Sequence, residues 1–127
     1  MSGSTKLIAV RGAIQVSKDD ALTVTEAVDR LFTRLVADNP ALNVDDCVDI
    51  MFTVTDDICS INPAFALRKS RPLLVTPLFC MQEPRIQGMG GLMIRVMVHA
   101  MVDQEARMRP VYLDGAEKLR PDLVNRS

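Results

Sequence analysis

Two arginines stand where apolar strands should run. Arg11 interrupts KLIAVRGAIQV (residues 6–16), and Arg95 interrupts LMIRVMVHAMV (residues 92–102). An arginine keeps its charge at any ordinary pH and is seldom buried without a partner, so each calls for an explanation. One explanation is a structural ion pair, for instance Arg95 with Glu83; the other is an anion pocket. Ion-pair networks and functional sites place charge in the same way, and the residues leave both open. The planar guanidinium fork binds carboxylates through two parallel hydrogen bonds, so converging arginines suit a dicarboxylate. Glu83 follows Cys80-Met81-Gln82 just past a predicted strand end, a common place for site residues, although an acid in a loop is more often simply solvated. Cys80 has no adjacent histidine to activate it and reads as a small core residue, against covalent chemistry. His99, the only histidine, lies on the Arg95 face of its strand, and no Cys/His spacing of the zinc type occurs. It reads as a hydrogen-bonded or interface residue, and no metal is expected. Glycines 88, 90 and 91 do not match the phosphate loop G-x-x-x-x-G-K-[ST] and read as a tight connection into the next strand.

The spacing of apolar residues predicts the elements that position these groups. Residues 6–16 read as a strand. Ser17 is the expected N-cap of a following helix, with Asp19 and Asp20 in the first turn. Val24, Ala27, Val28, Leu31, Leu35 and Val36 recur at helical spacing, and the helix should end near Asn39-Pro40. In CVDIMFTVT, Val48, Ile50, Phe52 and Val54 alternate as in a strand. Residues 62–70 read as a short helix, with Asn62 as N-cap and Pro63 at the first helical position. PLLVTPLF (72–79) reads as an edge or bent strand because of its central proline, ending at Cys80. In residues 92–102, Ile94, Val96, Val98, Ala100 and Val102 share one face, and Arg95, Met97, His99 and Met101 the other. A short strand at 111–113 and a polar tail follow. The fold class is α+β: a mixed sheet with one long amphipathic helix and short helical turns, in a single domain over 1–127. One helix covers one face of a sheet, yet the 92–102 strand is apolar on nearly both. A monomer would expose a large apolar patch, so a symmetric homo-oligomer is expected, with the eight methionines as core and interface filler.

Composition narrows the function classes. The chain has 127 residues, 48% hydrophobic and 24% charged, with a net charge of −1. Fifteen basic residues against sixteen acidic ones set up no field for nucleic acid or an anionic membrane. The hydrophobic content is too high for a disordered chain, and no apolar run approaches the ~20 residues of a membrane span. The start, MSGSTKLIAV, lacks the basic region and apolar stretch of a secretory signal, and three widely spaced cysteines make no disulfide framework. A cytoplasmic protein is expected.

Five motifs then occur in order: RGA at 11–13, PAxAxR from Pro63 to Arg68, CMQE at 80–83, GGLMIRVM from Gly90 to Met97, and VYLxxAxxLRPDL from Val111 to Leu123. Each alone is weak; together they resemble the monofunctional chorismate mutases of the AroH class over nearly the whole chain. The resemblance implies a homotrimer of mixed sheets packed as a pseudo α/β barrel, with active sites at the subunit interfaces. It implies the Claisen rearrangement of chorismate to prephenate, toward phenylalanine and tyrosine, with no cofactor, no metal and no covalent intermediate. By position, Arg95 matches the donor to the breaking ether oxygen, and Glu83 the acceptor from the ring hydroxyl, with Cys80 beside it. Arg11 and Tyr112 match groups holding a substrate carboxylate, and Arg68 an arginine from the neighbouring subunit. Ala64 matches a wall residue, while Leu119 and Arg120 match a mobile C-terminal segment, from about residue 115, that closes the site.

Three wall positions depart from the pattern. Asn62 stands where relatives often carry an aromatic, Phe65 where many carry a lysine, and Phe79 where a small hydroxyl residue is common. Pro84 replaces a usual methionine, with no functional account. The alternatives to the mutase are a RidA-type imine or enamine hydrolase, which shares the trimeric architecture, and a non-catalytic trimer that binds chorismate-like dicarboxylates. Losing a nearby positive charge weakens dianion binding and steering more than the chemical step. Steady-state kinetics on chorismate should therefore show a raised KM with turnover retained; an ordinary KM would make these wall positions peripheral.

Overall fold

Alternating apolar residues build one sheet, and helical stripes cover one of its faces. β1 (Thr5–Gln15) and β4 (Met93–Asp103) pair antiparallel along their whole length, Thr5 opposite Asp103 and Gln15 opposite Met93. β2 (Cys47–Val54) pairs antiparallel with the other side of β4. β3 (Leu78–Gln82) lies parallel to β2, and β5 (Val111–Leu113) parallel to β1. The order β3-β2-β4-β1-β5 makes the sheet mixed and puts β4, with Arg95, at its centre. This computed structural model describes residues 3–119. It has two helices, α1 (Ala21–Ala37) and α2 (Pro63–Ser70), and 3-10 turns at Val44–Asp46 and Ala116–Leu119. The expected α+β class with one long helix and short helical turns describes it. None of these helices is long and apolar enough to cross a membrane.

The core lies between the sheet and the helices. Val24, Val28, Leu31 and Leu35 of α1 and Leu67 of α2 bury against Val10, Ile14, Phe52, Ile94, Val96 and Val98 of the sheet. Gly12 sits under this packing: a Cβ there would stand 3.1 Å from the Val111 carbonyl oxygen and 3.2 Å from a Leu31 methyl, so only hydrogen fits without a shift. Asn39, buried just past α1, is fully used. Its amide donates to the carbonyls of Leu35 (2.7 Å) and Arg109 (3.0 Å), and its oxygen accepts from the Arg109 N–H (2.6 Å). A buried amide so satisfied ties the helix end to the connection before β5.

Two expectations are corrected. The N-cap of α1 is Asp20, not Ser17. Asp20 has extended backbone, and its carboxylate accepts from the Thr23 N–H at 2.7 Å, the usual N-cap bond. Neither aspartate therefore lies in the first turn. Asp19 instead accepts from the N–H groups of Cys59 (3.0 Å) and Ser60 (3.1 Å), pinning a distant loop. The strand expected over 72–79 begins only at Leu78 and runs to Gln82. Prolines at 72 and 77 frame the delay: the Leu74 N–H closes a turn onto the Arg71 carbonyl, and ladder bonding starts where the Pro77 carbonyl accepts from Ile50.

Hydrogen bonds from Ser60, and then from the Cys59 N–H, hold the Asp19 carboxyl at about 2, below its ordinary 3.8. A carboxylate depressed by folding stabilises the fold above its unfolded value, and that contribution is lost as pH falls through the folded one. Asp19→Asn should therefore lower the melting temperature at pH 6, and the gap from wild type should shrink as pH falls from about 4 to about 2. A gap independent of pH would show that the charge of Asp19 does not hold this loop.

Candidate active site

The uncovered face of the sheet assembles the unusual residues in rows. Strand register aligns Met81, Thr53, Arg95, Ala13 and Tyr112 across all five strands. The next row holds Phe79, Met51, Met97 and Arg11, and beyond it His99 lies between Asp49 and Ala9. Period-two alternation produces this arrangement, because each strand turns its other residues to the helices. Small Ala13 between Arg95 and Tyr112 leaves a hollow of about 510 Å³, lined by Arg11, Thr53, Met81, Arg95, Met97, Tyr112 and Leu119 among others. A second recess of about 340 Å³ lies under the glycine-rich connection, lined by Glu83, Arg85 and Gly91, and the two share Met89.

Glu83 reaches the same centre. Its Oε2 lies 2.9 Å from Arg95 Nε and accepts the Thr53 hydroxyl at 2.6 Å. Arg95 Nε is buried, and its N–H is not aligned on the carboxylate as a hydrogen bond, so the contact is a charge pair. The Glu83 side chain is 14% exposed and that of Arg95 34%; Arg95 lines the hollow and Glu83 the adjoining recess. Ion pair and pocket, two separate explanations at the level of sequence, are here one object. His99 pairs with Asp49 at 2.7 Å, farther along the open face.

The end of β2 fixes both members of the pair. The Val54 carbonyl accepts from the Glu83 N–H (2.8 Å), and the Thr55 N–H donates to the Met93 carbonyl (3.1 Å). Thr55 Oγ accepts from the Met93 N–H (3.0 Å) and donates to Asp57 (2.5 Å), and Asp57 accepts from the Leu92 N–H at 3.0 Å. Burial opposes ionisation of Asp57, but the bonds from Thr55 and Leu92 outweigh it and hold the carboxyl below its ordinary value. Gly91 is required because a Cβ there would collide with the Asp57 carboxylate. Leu92 takes a left-handed φ of 55°, so this anchor bends the chain sharply into β4. Thr53, Thr55 and Asp57 are absent from the sequence-based candidates. The available signal for Thr53 was its place in the strand alternation, opposite the apolar set of Phe52 and Val54.

Other candidates lie elsewhere in the chain. Cys80, opposite Phe52 in register, packs against the helix-covered core, and burial pushes its thiol up. A thiol that holds its proton is a weak nucleophile. Ala64 is buried in α2, and Asn62 is the N-cap of that helix, accepting from the N–H groups of Ala64 (2.8 Å) and Phe65 (3.3 Å). Phe65 and Arg68 are exposed on α2. Phe79 shares the open face with Met51 but sits on the edge strand, 70% exposed. One chain therefore brings together Arg11, Glu83, Arg95, Tyr112 and Leu119, but not Asn62, Ala64, Phe65, Arg68 or Cys80. Arg120 lies outside the described residues. No group of three or more His, Cys, Asp or Glu side chains among the described residues is placed to hold a metal ion.

Comparison with known proteins agrees with this geometry. The pattern of the family described as chorismate mutase type I matches residues 7–123. The chorismate mutase AroH of Bacillus subtilis is 30% identical over 115 residues, 90% of each chain. That of Thermus thermophilus is 34% identical over 115 residues, 90% of this chain and 93% of its own. A solved chorismate mutase from Clostridium thermocellum superposes with a TM-score of 0.78 at 33% identity, covering 87% of this chain and 98% of its own. With the match running from β1 through β5, the chain belongs to the chorismate mutase type I family.

Proposed function

We propose that this chain rearranges chorismate to prephenate in a pocket that a neighbouring subunit of a homotrimer completes. Chorismate mutase activity in aromatic amino acid biosynthesis follows from the family. The observation that carries the site is the Arg95 guanidinium, set in the central strand and facing a hollow with Glu83 against it. A pericyclic rearrangement transfers no proton, so the pocket must hold a flexible dianion in its compact reactive conformer. Negative charge grows on the ether oxygen as the bond breaks, and a fixed cation there stabilises the transition state more than the ground state. Arg95 is assigned to that oxygen and Glu83 to the substrate hydroxyl. Arg11 and Tyr112 take a carboxylate, and Leu119 closes the hollow it lines. No step calls for a cofactor.

The trimeric reading is supported by what one chain leaves uncovered. Leu73 and Val75 are 93% and 92% exposed, and Phe79 and Phe65 are exposed as well. Large apolar side chains left this open to water favour association. Arg68, Phe65, Ala64 and Asn62 sit at α2, across the sheet from Arg95, so they join a site only through a neighbouring copy. Cys80 and Phe79, on edge strand β3, are assigned to the same seam.

Arg95→Ala should keep the fold and assembly while lowering kcat by at least ~10²–10³, read by loss of chorismate absorbance with prephenate confirmed as phenylpyruvate after acid. Near-normal turnover would remove Arg95 from the mechanism. If Arg68 comes from the neighbour, Arg68→Ala and Arg95→Ala protomers, each weak alone, should regain activity when unfolded together and refolded as mixed assemblies. Mixed assemblies no more active than the parents would place both arginines in one subunit's site.

A further inference from the structure

We infer that Thr53 is a positioning residue for the rearrangement: its hydroxyl holds Glu83 in a one-oxygen contact with Arg95, which leaves the rest of both groups free for substrate. The inference rests on the proposed site and adds a residue to it.

Glu83 Oε2 accepts the Thr53 hydroxyl at 2.6 Å and lies 2.9 Å from Arg95 Nε as a charge pair, whereas Oε1 accepts no hydrogen bond from the described residues. An unconstrained carboxylate beside a guanidinium tends to swing into the two-point fork, the stronger arrangement. Here that fork would consume the donors an anionic substrate needs. Thr53 opposes it by fixing the carboxylate rotamer from the side. Its reach follows from the fold: Thr53 is the register partner of Arg95 across the β2–β4 pair and lines the same hollow. The backbone next to it holds the Glu83 main chain, because the Val54 carbonyl accepts the Glu83 N–H. Residues 53 and 54 thus set both ends of Glu83. The terminal nitrogens of Arg95 donate no hydrogen bond to the described residues, as expected if they are kept for a ligand.

Thr53→Val keeps the β-branched shape and removes the hydroxyl. With chorismate as substrate, kcat should fall about tenfold, the scale of one hydrogen bond to a charged group, with KM changed much less. Thr53→Ser should restore most of kcat, because it returns the hydroxyl without the methyl. In a Glu83→Gln background, Thr53→Val should cost little more, since it acts through the carboxylate. An unchanged kcat in Thr53→Val, no rescue by serine, or a full additive loss in the double variant would each overturn the inference. A folded wild type that does not turn over chorismate would overturn the proposed function, and this inference with it. An active wild type with an indifferent Thr53 would overturn the inference alone.

Discussion

A permanent cation in the middle strand of an apolar sheet is the constraint from which the rest follows. Desolvating an arginine costs several kcal/mol per ion even after relaxation, so Arg95 cannot face the helices. The alternation of β4 turns it to the other side. There the close packing that Ile94 and Val96 make against the helices gives way to a hollow and an acid. Because β4 is central, the backbone at Arg95 is flanked by paired strands on both sides. In its proposed role, against charge that appears only in a transition state, such placement leaves little reorganisation for the moment of reaction.

The acid that keeps Arg95 company must not neutralise it. Three successive residues at the end of β2 resolve this. Thr53 takes the Glu83 side chain, Val54 takes its main chain, and Thr55 takes the start of β4. Asp57 extends the anchor through Leu92, and Asp56 pairs with Arg85 on the far side of the loop (Arg85 Nε to Asp56 Oδ2, 2.7 Å). The glycine-rich connection is shaped by this anchor. It bends tightly under an aspartate that leaves no room for a side chain at residue 91.

Much of this was legible in the sequence, and each failure has its own physical cause. Period-two alternation located β1, β2 and β4 and assigned both faces of β4 correctly, because burial imposes that pattern residue by residue. The Asn62-Pro63 start of α2 was legible for the same local reason. The Ser17 cap failed because Asp20 competes as an acceptor three residues on, and Asp19 serves a loop 40 residues away. The strand at 72–79 failed because apolar composition there marks exposed surface and not pairing. Arg11, Arg95 and Glu83 stood out as charges in apolar or strand-end settings. Thr53 did not, since a threonine in a strand is ordinary until its register partner is known.

The exposed edge completes the physical picture. In one chain the hollow opens to water, where Coulomb interactions are weak, and a guanidinium there gives little selective help to a developing oxyanion. Leu73, Val75, Phe65 and Phe79 meanwhile leave apolar surface that association would remove from water. A neighbouring copy covering this edge would supply stability through those residues and lower the local dielectric around Arg95 in the same event. Assembly and electrostatic catalysis are then a single design. On the proposed reading, the neighbour that covers the apolar edge also dries the pocket in which Arg95 acts.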